Sequence, residues 1–411
     1  MKFSIHTVLV GVVMGLACSA VHAKPKPKPS INKPPVAAPV RHTSVAEARL
    51  IEIYRLIGRA DLAAALTKAE RLTKDFPTFQ LAHLVYGDLL SARFRRLKSM
   101  GDVPDALLAN SPEGALQGLR DEARVRIRAL QEHPPQGSIP AEFMLLSSHN
   151  KHAIAVDVTR SRLYLFENHD NNLTLTAEYY ISIGKLGFGK ATEGDQRTPL
   201  GVYFITNMLT PPALKDFYGS GALPINYPNV LDLKRGKTGK GIWLHGTPKG
   251  QFSRPPLASD GCVVMANSDL EHLLATVAIK TTPVVISNTL KWVLPHSSRL
   301  ESHRFQTTLN AWVKAKSQGQ VTETARFYAS DFNSNGKTRA EWLPALRREM
   351  DNAKGRIVAV KDLSLLRWTD TTDVMLVSFT DVLAGQRTGS TRRQYWARTG
   401  QHWKIFFEGV L

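Results

Sequence analysis

The sequence predicts a protein of several domains, in which an α-helical region precedes a mostly-β domain and an α+β domain closes the chain. Three changes of pattern along the 411 residues support this prediction. Apolar residues recur at helical spacing over residues 44–135, they alternate at strand spacing over 148–290, and helices followed by a meander of strands are indicated over 300–411. A chain of this length is expected to contain two or three domains.

The first residues have the features of a secretory signal peptide. Lys2 precedes an apolar stretch over residues 8–17, and Ala23 ends a segment suited to signal peptidase. The stretch is shorter than the roughly 20 apolar residues that span a bilayer, although an uncleaved amphipathic anchor is the alternative. We therefore expect residues 1–23 to be a signal peptide and the mature protein to lie in the periplasm or cell envelope. Cys18 would be removed with that peptide.

A spacer follows, and the chain as a whole is strongly basic. Residues 24–43 begin with alternating lysine and proline, a composition that favours extended polyproline II and does not bury a core. The formal net charge of +18 favours anionic partners, which for an exported protein are membrane phospholipid or a cell-wall polymer with free carboxylates. Export argues against nucleic acid as the partner, and a purely solubilising role of the charge is the alternative.

The region over 44–135 is predicted to be a helical domain. Its apolar residues lie at the spacing of one helix face, as in the set Leu50, Ile53, Tyr54 and Ile57. The paired helices resemble a tetratricopeptide-like unit, although the glycine and proline breaks are closely spaced for one. Two roles stay open at this point, which are a docking surface for an envelope protein partner and a helical cap on the next domain.

The domain over 148–290 is predicted from short strands that are separated by glycine-rich turns. One helix is predicted over 268–278, directly behind Cys262. The segment 218–227, which contains glycine and proline, is interpreted as a lid.

The last domain is predicted to begin with amphipathic helices, one around Trp312 and one over 341–350. Strands are predicted after them at 357–360, 374–379, 394–398 and 403–408. Binding of a wall fragment, control of access to the site and homodimerisation are the open roles for this domain.

Cys262 and His245 are the candidate catalytic pair. Once the signal peptide is removed, Cys262 is the remaining cysteine, and a lone thiol cannot form an intramolecular disulfide. An imidazole raises the thiolate fraction and then delivers a proton to a leaving amine. Gly246 would let a backbone carbonyl orient His245, and Gly261 would allow a tight turn that directs amide N–H groups at an oxyanion. The pattern predicts acyl transfer through a thioester, the alternative being a buried structural cysteine and a core histidine.

Other site chemistries are disfavoured. One cysteine and scattered histidines do not have the ligand spacing of a zinc site, so we expect no metal and no cofactor. A papain-like hydrolase would need a histidine downstream of the cysteine, and the downstream histidines do not lie in a recognisable local signature.

Residues 150–288 resemble the YkuD-type L,D-transpeptidase catalytic domain. That family has a histidine, a gap, then Ser/Thr-His-Gly-Cys and an asparagine. The positions that correspond here are His245, Ser259, Gly261, Cys262 and Asn267. The upstream residues 184–201, which include Lys190, Asp195 and Arg197-Thr198-Pro199, resemble the strand and turn that lead into the motif.

Two departures from the usual pattern narrow the resemblance. Asp260 stands where most members have a second histidine, and Val264 replaces a frequent arginine. The motif is more similar to that of the subgroup containing the cell-shape-determining murein L,D-carboxypeptidase. That subgroup carries a domain resembling nuclear transport factor 2 (NTF2) after the catalytic domain, and the C-terminal region of this chain is similar to it.

The resemblance implies a reaction on peptidoglycan stem peptides. Cys262 would attack the carbonyl between the third stem residue and the terminal D-alanine of a tetrapeptide, with His245 acting as base and then as acid. The acyl group would pass to an amine of another stem, to water or to a free D-amino acid. Transpeptidation, carboxypeptidation and a non-catalytic wall-binding scaffold therefore remain alternatives.

Several residues around the motif are predicted to bind the substrate. Lys249 and Arg254 lie in the loop between the histidine and the cysteine, where they could pair with carboxylates of the stem peptide. A solvated surface loop is the alternative for each. Ser259, Asp260 and Asn267 complete the predicted substrate-binding set because they lie within or just after the motif.

Overall fold

The computed structural model describes residues 44–103, 112–353, 356 and 358–411. The predicted signal peptide over 1–23 and the predicted linker over 24–43 lie outside the described residues. Across the described ranges, no helix combines the length and the apolar character that a membrane span requires.

The described chain begins with a helical domain, as the sequence predicts. Its helices are α1 (Val45–Gly58), α2 (Leu62–Asp75), α3 (Gln80–Ser91) and α4 (Ala115–Gln131). Ser44 caps α1 by accepting a hydrogen bond from the backbone N–H of Glu47 at 3.2 Å, and Asp61 caps α2 in the same way. Leu50, Ile53 and other residues at helical spacing form its buried core. The tetratricopeptide-like character stays a prediction.

The second domain is built on a mixed sheet with the strand order β5-β4-β3-β12-β7. Smaller sheets lie against it, one with the order β11-β9-β8 and one that pairs β6 with β10. The elements, in chain order, are β1 (Ile139–Pro140), β2 (Phe143–Leu145), β3 (His152–Asp157), β4 (Arg162–His169), β5 (Asn172–Tyr180), β6 (Ile183–Gly184), β7 (Gly201–Phe204), β8 (Ala222–Pro224), α5 (Val230–Lys234), β9 (Trp243–His245), β10 (Leu257–Ser259), β11 (Val263–Val264), α6 (Asn267–Thr276), β12 (Pro283–Ser287) and β13 (Trp292–Val293).

Two expectations for this domain meet different outcomes. The helix predicted over 268–278 is α6, and its inward residues Leu270 and Leu273 are buried. The lid predicted over 218–227 is wrong for most of its length, because β8 lies within it and pairs with β9 in the core. Glycine and proline indicated a loop there, whereas the pairing partner lies about twenty residues further along the chain.

The third domain places helices against a long antiparallel sheet. Its elements are α7 (Pro295–Ser317), α8 (Val321–Ala325), β14 (Asn333–Ser334), β15 (Lys337–Thr338), α9 (Arg339–Ala353), β16 (Val358–Thr369), β17 (Asp373–Leu383), β18 (Ser390–Thr399) and β19 (His402–Val410). The sheet order is β19-β18-β17-β16-β2, so β2, which precedes the strands of the mixed sheet in the chain, completes this sheet.

Strand β16 of this sheet is longer than the sequence predicted. The prediction over 357–360 stopped early because the register shifts between Lys361 and Ser364, where Asp362 has a positive φ of 54°. Such a bulge interrupts the alternation of side chains that a sequence pattern depends on.

The mixed sheet of the second domain, called the central sheet below, separates two hydrophobic cores. Ile154, Leu163 and Leu165 point to one face, where they pack with Leu244 and Val263. The alternate residues of the same strands point to the other face, as a period of two requires. There they pack against the third domain, in a cluster that includes Ala155, Tyr164, Phe166, Leu366 and Tyr395. The third domain therefore covers the face of the sheet opposite the core that contains Leu244 and Val263.

A buried ionic cluster joins the helical domain to the second domain. The guanidinium of Arg126 on α4 lies 2.9 Å from Glu47 Oε1 and 2.8 Å from Glu122 Oε1. Arg162 on β4 also contacts Glu47 Oε1, at 2.9 Å. Burial alone would raise the pKa of Glu47, but Arg162 and Arg126 hold it below its usual range. The buried charge of Glu47 is therefore stabilised by arginines from both sides of the boundary between the two domains.

Removing one charge from this cluster should be costly. We expect Arg126→Ala to lower the free energy of unfolding by about 3–5 kcal/mol, because it removes the counter-charge of the buried Glu122 and leaves Glu47 with Arg162 alone. Arg124→Ala on the same helix is the matched control, since Arg124 makes an exposed pair with Asp121. Its effect should stay within about 0.5 kcal/mol. Urea unfolding followed by circular dichroism measures both, and equal shifts would contradict the proposed role of the cluster.

Candidate active site

The register of two short parallel strands places His245 and Cys262 on the same face of the strand pair. Val263 of β11 pairs with Leu244 of β9, and Val264 pairs with His245. Leu244 and Val263 point into the core, so His245 and the residue before Val263, which is Cys262, are directed to the opposite face. The amide of Met265 donates to the His245 carbonyl at 3.0 Å and extends the pairing.

The turn that carries the cysteine is fixed by hydroxyl groups. Gly261 has φ = 121°, and a Cβ there would lie 2.7 Å from the carbonyl oxygen of Arg197. Thr198 Oγ1 donates to the Gly261 carbonyl at 3.0 Å. Ser259 Oγ accepts from the Gly261 N–H at 3.2 Å and donates to the Cys262 carbonyl at 2.6 Å. Gly261 thus makes the predicted tight turn, but its own N–H is engaged by Ser259, so an oxyanion would need another amide.

The imidazole of His245 is buried and held in one orientation. Its Nδ1 lies 2.7 Å from the carbonyl oxygen of Gly246. A carbonyl only accepts, so Nδ1 carries the proton and Nε2 is left unprotonated. Nε2 is therefore the atom that can take a proton from a thiol.

Asn267 supports this arrangement from behind. Its Oδ1 accepts from the backbone N–H groups of Ser220 at 3.0 Å and Thr247 at 3.2 Å, and its Nδ2 donates to the Thr247 carbonyl at 2.8 Å. A Cβ at Gly246 would overlap the Asn267 Oδ1, which explains the glycine next to the histidine. The structure places this predicted substrate-binding residue as a link between two loops.

Aromatic side chains enclose the imidazole. The Tyr218 ring meets His245 edge-on at 5.1 Å between centroids, and the Phe217 ring lies at 5.8 Å. Tyr218 also packs on Trp243 at 4.8 Å, and its carbonyl accepts from the Gly246 N–H at 3.1 Å. The sequence did not indicate these rings, because Phe217 and Tyr218 lie in a segment without a recognisable motif and Trp243 precedes the motif histidine on β9.

The predicted substrate-binding residues do not all lie at the thiol. Arg254 is buried, with its guanidinium 4.7 Å from the centroid of the Phe217 ring, and its Nε contacts Gln251 Oε1 at 3.3 Å. Asp260 is exposed and paired with Lys185 at 2.9 Å. Lys249 is exposed on the turn that follows Pro248. Arg254 is thus the loop cation that the fold brings to the histidine.

Lys190 is a further cation that the sequence analysis did not place in the site. Its ammonium is buried and lies 2.8 Å from Asp195 Oδ1. Burial would raise the pKa of Asp195, but Lys190 and backbone N–H groups lower it to about 2. The motif of the upstream turn contained both residues, although nothing in their spacing indicated a site near the thiol. Among the described residues there is no group of three or more His, Cys, Asp or Glu side chains arranged to hold a metal ion.

Comparison with known families agrees with this geometry. Residues 151–286 match the family model of the YkuD L,D-transpeptidase catalytic domain, and residues 304–409 match that of the Cds6 C-terminal NTF2-like domain. The chain has a YkuD catalytic domain followed by an NTF2-like domain. No curated protein matches the sequence.

Solved structures share the fold. Bd1075 of Bdellovibrio bacteriovorus aligns with a TM-score of 0.57 and 23% identity, over 66% of this chain and 98% of that one. The helical cell shape determining protein Pgp2 of Campylobacter jejuni aligns with a TM-score of 0.52 and 21% identity, over 65% of this chain and 95% of that one. At these identities the similarity establishes a shared fold.

Both members of the candidate catalytic pair are neutral at pH 7. Burial raises the pKa of the Cys262 thiol to about 11, with Asp260 adding to the effect and a backbone N–H from Trp243, Arg254 and Lys190 opposing it. Burial also lowers the pKa of His245 to about 4, and Arg254 contributes to that shift. The candidate site therefore holds a neutral thiol, whose Sγ donates to the Gly241 carbonyl at 3.5 Å, on the same face of the strand pair as a neutral imidazole.

The alkylation rate of Cys262 should report this state. In the protein without residues 1–23, iodoacetamide should react more slowly with Cys262 at pH 7.5 than with free cysteine, whose pKa is about 8.5. The rate should keep rising above pH 9, because the thiolate forms with a pKa of about 11. Cys262→Ala gives the background. Fast alkylation that is already constant at pH 6 would instead show a preformed thiolate–imidazolium pair.

Proposed function

We propose that the protein is an extracytoplasmic, peptidoglycan-modifying cysteine enzyme that forms a thioester with the tetrapeptide stem. The observation that supports this most is the placement of Cys262 and His245 on one face of the β9–β11 pair, with Nδ1 of the histidine fixed by Gly246. The YkuD domain supports the same chemistry. The fold is shared with a protein described as determining helical cell shape, which agrees with a wall substrate.

The first half-reaction forms the acyl-enzyme. Nε2 of His245 takes the thiol proton as the Cys262 sulfur attacks the carbonyl carbon between the third stem residue and the terminal D-alanine. The tetrahedral intermediate collapses as the C–N bond breaks. The imidazolium returns its proton to the departing D-alanine amine, which leaves a thioester and a neutral imidazole.

The second half-reaction releases the product. Nε2 of His245 accepts a proton from the acceptor as that acceptor attacks the thioester carbonyl. The C–S bond breaks, and the imidazolium reprotonates the sulfur of Cys262. Both side chains are then neutral again, which agrees with the low pKa of His245.

We propose water as the principal acceptor, which makes the enzyme an L,D-carboxypeptidase. Arg254 and Lys190 lower the pKa of the thiol, whereas Asp260 raises it. Lys190 is paired with Asp195, so Arg254 is the cation that would repel a protonated acceptor amine from a second stem, and it would not repel water. Asp260, at the position of the usual second histidine, is paired with Lys185 at the rim. Transfer to a stem amine is the alternative.

Arg254 is proposed to bind the terminal carboxylate of the substrate. It is a buried cation whose side chain donates a hydrogen bond to the neutral Gln251. A carboxylate would give it a charge-assisted hydrogen bond. Lys249 is more exposed and is proposed to meet stem carboxylates only at the rim.

Product analysis tests the proposal. Wild-type protein incubated with a disaccharide-tetrapeptide should release D-alanine and leave the tripeptide, as followed by mass spectrometry, and Cys262→Ala and His245→Gln should each reduce the rate by at least about 10³-fold. Urea unfolding of both variants checks that they fold. Detection of two joined stems would show that the acceptor is an amine and not water. No conversion by folded wild-type protein would overturn the enzymatic proposal and favour a wall-binding scaffold.

A further inference from the structure

We propose that the helical domain positions Arg254 in the active site, and that Phe252 and Ser253 are the positioning residues through which it does so. The inference rests on the proposed function, since it assigns the helical domain a part in binding the substrate carboxylate. It concerns the loop over residues 249–256, which joins the histidine strand β9 to β10 and is called the bridging loop below.

Phe252 anchors the bridging loop in the core of the helical domain. Its ring lies 4.3 Å from the centroid of Phe79 and 5.7 Å from that of Phe76. Its backbone N–H donates to the carbonyl of Thr78 at 3.2 Å. An aromatic side chain held by two other rings and by a backbone hydrogen bond has little freedom, so the loop is fixed to the helices at this point.

The residues on either side of Arg254 make further contacts with α4. Ser253 Oγ donates to Glu122 Oε1 at 2.7 Å, and Glu122 is held in turn by Arg126. Pro255 lies close to Gly118, where a Cβ would come within 2.7 Å of the Pro255 Cγ. The helical domain therefore contacts the chain immediately before and immediately after Arg254.

Arg254 itself is held from the catalytic side. Its carbonyl accepts a hydrogen bond from the Tyr180 hydroxyl at 2.8 Å, and the Arg126 guanidinium stacks 3.9 Å from the centroid of the Tyr180 ring. The guanidinium of Arg254 points to Phe217, which also packs on the imidazole of His245. The backbone around Arg254 is thus fixed by contacts with both domains, and the side chain is directed toward the candidate site.

The consequence is that the helical domain is part of the substrate-binding apparatus. The strands β9 and β11 fix the two ends of the motif but do not fix the middle of the bridging loop. Contacts with Phe79, Thr78 and Glu122 help to fix that middle part, so the position of the guanidinium depends on them. Loosening the anchor should weaken recognition of a carboxylate while leaving the cysteine and histidine in place.

A comparison of two substrates tests this positioning role. The substrates are the tetrapeptide with a free terminal carboxylate and the same peptide with a terminal amide. For the carboxylate, we expect Phe252→Ala to raise KM about tenfold, equivalent to about 1.4 kcal/mol, with kcat changed less than about twofold. Ser253→Ala should raise KM by a smaller factor, Phe252→Leu should restore most of the loss, and the amide should show no such change.

Coupling to Arg254 distinguishes positioning from general damage. Arg254→Gln should raise KM for the carboxylate, and the double variant with Phe252→Ala should be no worse than Arg254→Gln alone. Phe94→Ala is the control, because Phe94 is 87% exposed in the same domain and should change nothing. Equal losses on both substrates, a fall confined to kcat, or additive effects in the double variant would overturn the inference.

A second measurement does not require turnover. Because Arg254 lowers the pKa of the Cys262 thiol, displacing its guanidinium should raise the alkylation pKa of Cys262. Phe252→Ala and Arg254→Gln should therefore shift the pH profile in the same direction, without adding in the double variant. A shift in Arg254→Gln but not in Phe252→Ala would overturn the inference. A wild type that alkylates as expected but converts no peptide would instead contradict the proposed function alone.

Discussion

The parallel pairing of β9 with β11 is the constraint on which the site depends. It sets Leu244 and Val263 in the core and directs His245 and Cys262 to the other face. Because side chains alternate along a strand, a slip of one residue would turn the candidate catalytic side chains toward the core and the core side chains away from it. The shared face of the two candidate catalytic side chains is therefore set by the burial of their apolar neighbours Leu244 and Val263.

Between β9 and β10 the chain passes through the bridging loop, which is not part of a sheet. That segment is fixed by the helical domain, through Phe252, and by the ionic cluster around Arg126. The NTF2-like domain packs on the opposite face of the central sheet, away from the core that includes Leu244 and Val263. The two accessory domains thus have different relations to the site, since one contacts the loop beside the thiol and the other supports the sheet from behind.

Local sequence patterns were sufficient to predict part of the fold and part of the candidate site. The helical period around Leu50 and Ile53 predicted the first domain, and the order of motif residues from His245 to Asn267 indicated the YkuD catalytic domain. The roles of Asn267, Phe217 and Tyr218 were not accessible, because they depend on loops that meet only in the folded chain. The bulge at Asp362 and the pairing of β8 were missed for a similar reason, since irregular backbone and distant partners leave no period in the sequence.

Trapping of the acyl-enzyme by hydroxylamine tests the central claim, which is a thioester on Cys262. Hydroxylamine is a small nucleophile, uncharged at neutral pH, that can compete with water for the acyl group of a thioester. With a disaccharide-tetrapeptide and wild-type protein, mass spectrometry should show the tripeptide hydroxamate forming at the expense of the tripeptide acid. Release of D-alanine at the same rate, with the acid as product and no hydroxamate at any hydroxylamine concentration, would contradict a covalent intermediate.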